Sequence, residues 1–180
     1  MKKNLKMFVI CGILFAVIPL MADTETVNGY SWTYYVESDG AQICGATPEL
    51  TGSVTIPSSL GGMPVTSFGE KAFRGCSGLT SVTIPNSVTN IGVGVFYNCS
   101  GLASVEIPDG VTNIGDDAFM FCSGLKSVTI PNYVASIGSR AFFGCSSLAS
   151  VMIPESVTSI GYYAFYECNN VTNQIGRAHV

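Results

Sequence analysis

A spacing of 23 residues constrains this chain more than any other feature. Cys76, Cys99, Cys122, Cys145 and Cys168 keep it, and so do Phe73, Phe96, Phe119, Phe142 and Phe165. Gly69, Gly92, Gly115, Gly138 and Gly161 follow the same period, as do Pro85, Pro108, Pro131 and Pro154. A period held at several residue types means one small unit stacked on copies of itself, because a single unit cannot cover its own apolar side. Five units are delimited: 51–78, 79–101, 102–124, 125–147 and 148–170, the first lengthened by five residues at "LGGMP".

Each unit opens as a strand. "LTSVTIP" alternates Val82 and Ile84 inward with Ser81 and Thr83 outward, a period of two rich in β-branched residues. The proline that follows has no amide hydrogen to donate and ends the ladder. "NSVTNIG" then places Val88 and Ile91 on a second apolar edge of the coil. Its glycine answers either to a positive φ or to close packing between coils. "AFxxC" is expected to put Ala, Phe and Cys on one face of a short helical turn. Stacked coils would carry parallel strands about 4.8 Å apart. The expected fold is therefore a repeat solenoid, a right-handed coil with a parallel sheet on one face and short helical turns on the other.

The composite motif LxxVxIPxxVxxIGxxAFxxC, carried by residues 51–170, resembles the bacterial surface leucine-rich repeat of the BspA-like, or treponeme, type. It differs from the common leucine-rich pattern, which places Asn or Cys where this chain has Ser87, Gly110, Tyr133 and Ser156. The usual asparagine ladder is absent, and a cysteine ladder comes later in the unit. The resemblance implies a solenoid on a bacterial envelope, often part of a longer protein, that attaches to host matrix, host cells or other bacteria.

The flanks do not follow the repeat. Residues 1–22 join Lys2, Lys3 and Lys6 to the uncharged run "MFVICGILFAVIPLMA", the pattern of a secretory leader cleaved after Ala22. Secretion or surface display, with no membrane insertion after cleavage, is the expectation. Residues 23–50 read as a capping hairpin: an aromatic strand, the turn signal "SDG", and a second strand with Ile43. Trp32, the only tryptophan, is expected to plug the open end of the first coil. Residues 171–180 begin a sixth unit and then leave the pattern. Their last six, Ile175 to Val180, match a translated sequencing-library adapter, so the tail is expected to be artefactual.

Charge and chemistry narrow the function. Three of the eight basic residues leave with the leader, so five face twelve acidic ones and the net charge falls to −7. Such a chain has no basic patch for nucleic acid and no polybasic segment for an anionic membrane. The one histidine is His179, no nucleophile has a base beside it, and no glycine loop suits a nucleotide. Asp116 and Asp117 read as the acidic start of a helical turn. Six cysteines remain after Cys11; in a line they do not converge on a tetrahedral metal and are expected to be buried thiols. No enzymatic activity and no cofactor are expected.

Repetition fixes the core, so binding is expected where units differ. One candidate surface is the outward sheet stripe of Thr83, Glu106, Thr129 and Met152, beginning at Thr55 and flanked by a serine row. The other is the set of rings on the turns: Tyr97, Phe121, Phe143, Tyr162, Tyr163 and Tyr166. The expected partners are host or bacterial surface macromolecules, protein or glycan. The competing reading is a passive spacer within a larger surface protein or enzyme.

Overall fold

The computed structural model describes residues 22–171. The leader (all but Ala22) and the tail (all but Val171) lie outside the described residues.

Every regular element among the described residues is a strand. The chain opens with β1 (Asp23–Val27), β2 (Tyr30–Val36) and β3 (Ala41–Thr47). Next come β4 (Gly52–Thr55), β5 (Ser59–Leu60) and β6 (Met63–Phe68). Each later unit adds one longer strand and one two-residue strand. These are β7 (Leu79–Thr83) and β8 (Asn90–Ile91), then β9 (Ser104–Glu106) and β10 (Asn113–Ile114). They continue with β11 (Ser127–Thr129) and β12 (Ser136–Ile137), then β13 (Ser150–Met152) and β14 (Ser159–Ile160).

The longer strands form a parallel sheet in the order β13-β11-β9-β7-β4. Its register repeats the sequence period: Val54, Val82, Val105, Val128 and Val151 are aligned neighbours. The second sheet runs β1-β2-β3-β6-β8-β10-β12-β14, with β5 paired to β6. It begins antiparallel and becomes parallel at β3 and β6. The first three strands are thus a lateral extension of the solenoid's own sheet. Asn28 and Gly29, both with positive φ, make the tight turn from β1 to β2. The extra residues of the first unit are likewise a hairpin, with Gly61 and Gly62 at its tip.

The core is one continuous apolar column. Rows of Leu, Val, Ile, Phe and Cys are buried in each of the middle coils, and among the described residues no charged or polar side chain is buried with them. Phe96, Phe119, Phe142 and Phe165 stack ring over ring at 5.2–5.3 Å, with interplanar angles of 10° or less. Fully buried Trp32 meets the near end of this column edge-on, 6.2 Å from Phe73. Its indole N–H donates to the Val27 carbonyl at 3.2 Å.

The expected helical turns do not form. Each "GxxAFxxC" segment instead carries two left-handed residues four apart: Lys71 and Gly75, Gly94 and Asn98, Asp117 and Phe121 in the first three coils. A right-handed helix cannot pass through such positions. Alternate amides also point along the solenoid axis. Those of Lys71, Phe73 and Gly75 donate to the carbonyls of Val93, Val95 and Tyr97 in the next coil, at 2.8–2.9 Å. The segment is a chain of tight turns hydrogen-bonded coil to coil. In the third and fourth coils it still buries Ala, Phe and Cys together, the one-sided burial that a helical turn would also give.

The conserved-period glycine is settled in favour of close packing. Gly92, Gly115, Gly138 and Gly161 lack positive φ. A Cβ on Gly138 would stand 2.5 Å from the Asp116 amide nitrogen and 2.6 Å from the Gly115 carbonyl carbon. Its amide donates to the Ile114 carbonyl of the preceding coil at 2.8 Å. Coils touch backbone to backbone at this corner, and any side chain would force them apart.

Candidate functional site

The register of the parallel sheet brings Thr55, Thr83, Glu106, Thr129 and Met152 into one outward row across five strands. All five are exposed, and Met152 shows 77% of its surface to solvent. Beside them runs the row Ser53, Ser81, Ser104, Ser127 and Ser150, in which Ser81 donates to the Ser53 hydroxyl at 2.8 Å. Between β7 and β11 the face sinks into a depression of about 480 Å³. Thr83, Glu106, Asp109, Thr129, Ser81 and Ser104 contribute to its lining. Neither Glu106 nor Asp109 has an ion-pair partner among the described residues. The site can therefore offer hydroxyls and two uncompensated carboxylates, with a methionine one strand beyond. Sequence reasoning missed Asp109. Its signal was the coil-to-coil change at one position, where the other units carry Asn86, Asn132 and Glu155.

The rings on the turns form a separate ridge. Tyr97 lies 6.0 Å from Phe121, which lies 5.5 Å from Phe143. Phe143 stacks on Tyr166 at 5.5 Å, and Tyr166 meets Tyr163 edge-on at 5.4 Å. Tyr97, Phe121 and Phe143 are half-buried along this ridge, whereas Tyr162, Tyr163 and Tyr166 are exposed. Tyr162 makes no ring contact among the described residues. Phe121 holds φ at 61°, a left-handed value unusual for a bulky residue. Its ring lies where a Cβ on Gly144 would come within 2.7 Å, so the glycine makes room for it. Arg74 extends the ridge at the first coil, its guanidinium 5.1 Å from the Tyr97 ring centre. Sequence reasoning missed Arg74, although it occupies the same unit position as Tyr97.

The adjacent carboxylates are structural. Asp116 accepts from the Ser139 amide at 2.7 Å, and Asp117 from Arg140 Nε at 2.8 Å, both across one coil boundary. The hydroxyls of Ser87 and Ser156 donate to the carbonyls of Val65 and Val134 in the preceding coil, at 2.6 and 2.8 Å, at positions where the common repeat uses asparagine.

The six cysteines among the described residues stand as free thiols. Cys99, Cys122, Cys145 and Cys168 each donate to the carbonyl of the preceding coil's phenylalanine at 3.1–3.2 Å. The neighbouring Cys122 thiol and burial push Cys99 up to about 12, and burial pushes Cys168 up to about 11. Burial also drives Cys145 well above the usual thiol range. Thiols held protonated in this way are poor nucleophiles and poor metal ligands. No group of three or more His, Cys, Asp or Glu among the described residues is placed to hold a metal ion. No helix among them is long and apolar enough to cross a membrane.

The fold has known counterparts. A leucine-rich repeat protein of T. pallidum shares 36% identity with a TM-score of 0.74, the match covering 77% of this chain and 65% of that one. A leucine-rich repeat protein from Bacteroides ovatus shares 35% with a TM-score of 0.73, covering 81% and 39%. A leucine rich cell surface protein from Faecalibacterium prausnitzii shares 26% with a TM-score of 0.53, covering 83% and 53%. The chain thus spans less than two thirds of each of these proteins. No curated protein matches it. The model of the BspA type leucine rich repeat region matches in six copies over residues 49–172, well over half of the sequence. With the motif, the coil geometry and these counterparts in agreement, the chain belongs to the BspA-type leucine-rich repeat family.

Proposed function

We propose that this chain is an extracellular protein-binding module of a bacterial surface or secreted protein, and that it serves adhesion to host matrix, host cells or other bacteria. One observation carries the reading: the sheet depression holds Glu106 and Asp109 without cations of their own, beside exposed Met152. Uncompensated charge next to an exposed apolar side chain gives a partner both steering and contact energy. An extended segment bearing Lys or Arg, laid across the strands, meets both features. The cell-surface description of the F. prausnitzii counterpart supports the location.

The competing reading is a passive spacer, whose surface tolerates change. Binding of the purified chain to matrix proteins and epithelial cells separates the two. Glu106→Lys combined with Met152→Lys is expected to weaken binding by about tenfold or more, the scale of a lost interface hot spot. A parent that binds nothing, or a double variant that binds like the parent, favours the spacer.

A further inference from the structure

The corner where each coil leaves the parallel sheet is a stack of four-residue turns. In coils two to five these are residues 85–88, 108–111, 131–134 and 154–157, each closed by a valine amide donating to a proline carbonyl at 3.0–3.1 Å. Their third positions read Ser87, Gly110, Tyr133 and Ser156. Ser87 and Ser156 donate to the carbonyls of Val65 and Val134 in the preceding coil. Gly110 and Tyr133 supply no such donor, so the equivalent carbonyls of Val88 and Val111 accept no side-chain hydrogen bond among the described residues. Gly110 leaves a notch, where a Cβ would stand 3.0 Å from the Asn86 carbonyl oxygen and 3.1 Å from that of Val88. Tyr133 follows one coil on, 68% exposed although a coil packs on either side of it. Exposed Asp109 precedes the notch and opens onto the sheet depression with Glu106. The only cations of coils two to five are Lys126 and Arg140. Arg140 is held by Asp117 on the turns, and Asp116 is there too, accepting from the Ser139 amide. Lys126 makes no ion pair among the described residues; it sits in the register of Ala103, three residues or about 10 Å along the strand from the row of Glu106. Glu155, the coil-five counterpart of Asp109, adds a charge of the same sign.

We propose that this corner is an arginine subsite, seating the guanidinium of an extended partner segment against the Tyr133 ring and the Asp109 carboxylate. The subsite belongs to the sheet face assigned above to binding and rests on that assignment; it specifies which cation the face takes. What the corner presents is a ring, a carboxylate and carbonyl oxygens, all of them electron-rich. A guanidinium matches that set: it is planar, carries five N–H donors, forks onto a carboxylate and stacks on an aromatic face. A lysine ammonium meets the charge but is a compact, strongly hydrated point that neither forks nor stacks in this way. A neutral saccharide gains nothing from the uncompensated charge, and an acidic one is repelled by it. From the corner the segment runs on across the depression, where Glu106 and the strand hydroxyls take further donors. The distance from β7 to β11 is two strand spacings, about 10 Å, which three extended residues span.

The probe is the peptide acetyl-Gly-Arg-Gly-amide, with its lysine and citrulline counterparts, titrated to about 10 mM into the isotope-labelled chain and followed by amide chemical shifts. The arginine peptide is expected to shift Asp109, Gly110 and Tyr133 together. The lysine peptide should bind about threefold more weakly or worse, and the citrulline peptide, which keeps the shape and loses the charge, about tenfold. Asp109→Asn should weaken the arginine peptide about tenfold and Tyr133→Ser about threefold. Gly110→Ser restores the serine of coils two and five, fills the notch and should cost about threefold. Asp109 and Tyr133 are exposed, and matching melting temperatures verify that each variant is folded. No binding by the arginine peptide overturns the proposal. So does equal binding by the lysine or citrulline peptide, or indifference to both Asp109→Asn and Tyr133→Ser. Adhesion to matrix proteins separates the subsite from the reading it rests on. If the paired Glu106→Lys and Met152→Lys changes weaken adhesion while Asp109→Asn and Tyr133→Ser leave it intact, the arginine subsite falls and the binding role of the sheet stands.

Discussion

Replacing Phe142 with alanine is the most direct test of how the coils cohere. The ring is fully buried and stacked on both sides, 5.2 Å from Phe119 and 5.2 Å from Phe165. Its backbone amide donates to Ala164 and its carbonyl accepts the thiol of Cys168, so the surrounding backbone is held from two directions and cannot collapse into the gap. A Phe→Ala change in such a site costs about 3–5 kcal/mol, the lost transfer energy plus an unrelaxed cavity. For a chain of this size each kcal/mol moves the melting temperature by about 2–4 °C, so the midpoint should fall by roughly 6–20 °C. Phe165→Ala is the control. That ring is only partly buried and stacks on one described neighbour, so its loss should be clearly smaller. Thermal unfolding followed by circular dichroism and by urea titration measures both. A drop of less than about 2 °C at Phe142, or equal drops at the two sites, would refute a continuous stacked column as the source of cohesion.

Further outcomes follow from the same geometry. Gly138→Ala should destabilise the chain by about 1–3 kcal/mol or more, because its Cβ meets backbone that has no rotamer to yield; Gly75→Ala, with open space but φ at 80°, should cost about 1 kcal/mol from backbone strain alone. The raised thiols make the fold sensitive to alkali. Their contribution is complete below the unfolded thiol value of about 8.5 and is lost as pH rises through 11 to 12, so the melting temperature in reducing buffer should fall above about pH 9, less steeply in Cys99→Ala than in the parent. Thiol reagents at neutral pH should label half-buried Cys44 and Cys168 first and leave Cys99, Cys122 and Cys145 slow until the chain unfolds; equal rates at all sites would contradict the ladder.

The inward-facing half of this fold was legible in the sequence, and the reason is physical. Val82, Ile84, Val88 and Ile91 are constrained by neighbours from two coils at once, so their pattern repeats with little drift. A strand of period two followed by proline can be read from one unit alone. The turns were misread because their left-handed positions carry no consistent signal. Gly94 is an ordinary occupant of such a position, but Lys71, Asp117, Arg140 and Tyr163 fill the equivalent place in the other coils. What holds Lys71, Gly94, Asp117 and Arg140 there is the hydrogen bond from each amide to the next coil, a partner 22 residues away that no local propensity reports. The strand β1 was missed for a related reason. DTETV is polar and almost wholly exposed, so apolar alternation does not mark it, and only the Asn28-Gly29 turn betrays it.

The same division between fixed and free positions explains why candidate surfaces were easier to name than to weigh. Rows that point outward are released from the packing constraint, so each coil can change its residue without disturbing the stack. Glu106 in a row with Thr83, Thr129 and Met152, and Asp109 at the position of Asn86, Asn132 and Glu155, are departures of that kind, and the parallel register brings both to the depression. The rings followed a different logic. Tyr97, Phe143 and Tyr166 share one row, but Phe121 comes from the next row and reaches them only because Gly144 leaves space beneath its ring. A ridge assembled from three rows, with Tyr163 from a third and two of the rows left-handed, is invisible to a count of residues at a single repeat position. In a solenoid the period predicts the column that buries side chains, while the residues that break it and the contacts that cross from row to row shape its outer surfaces.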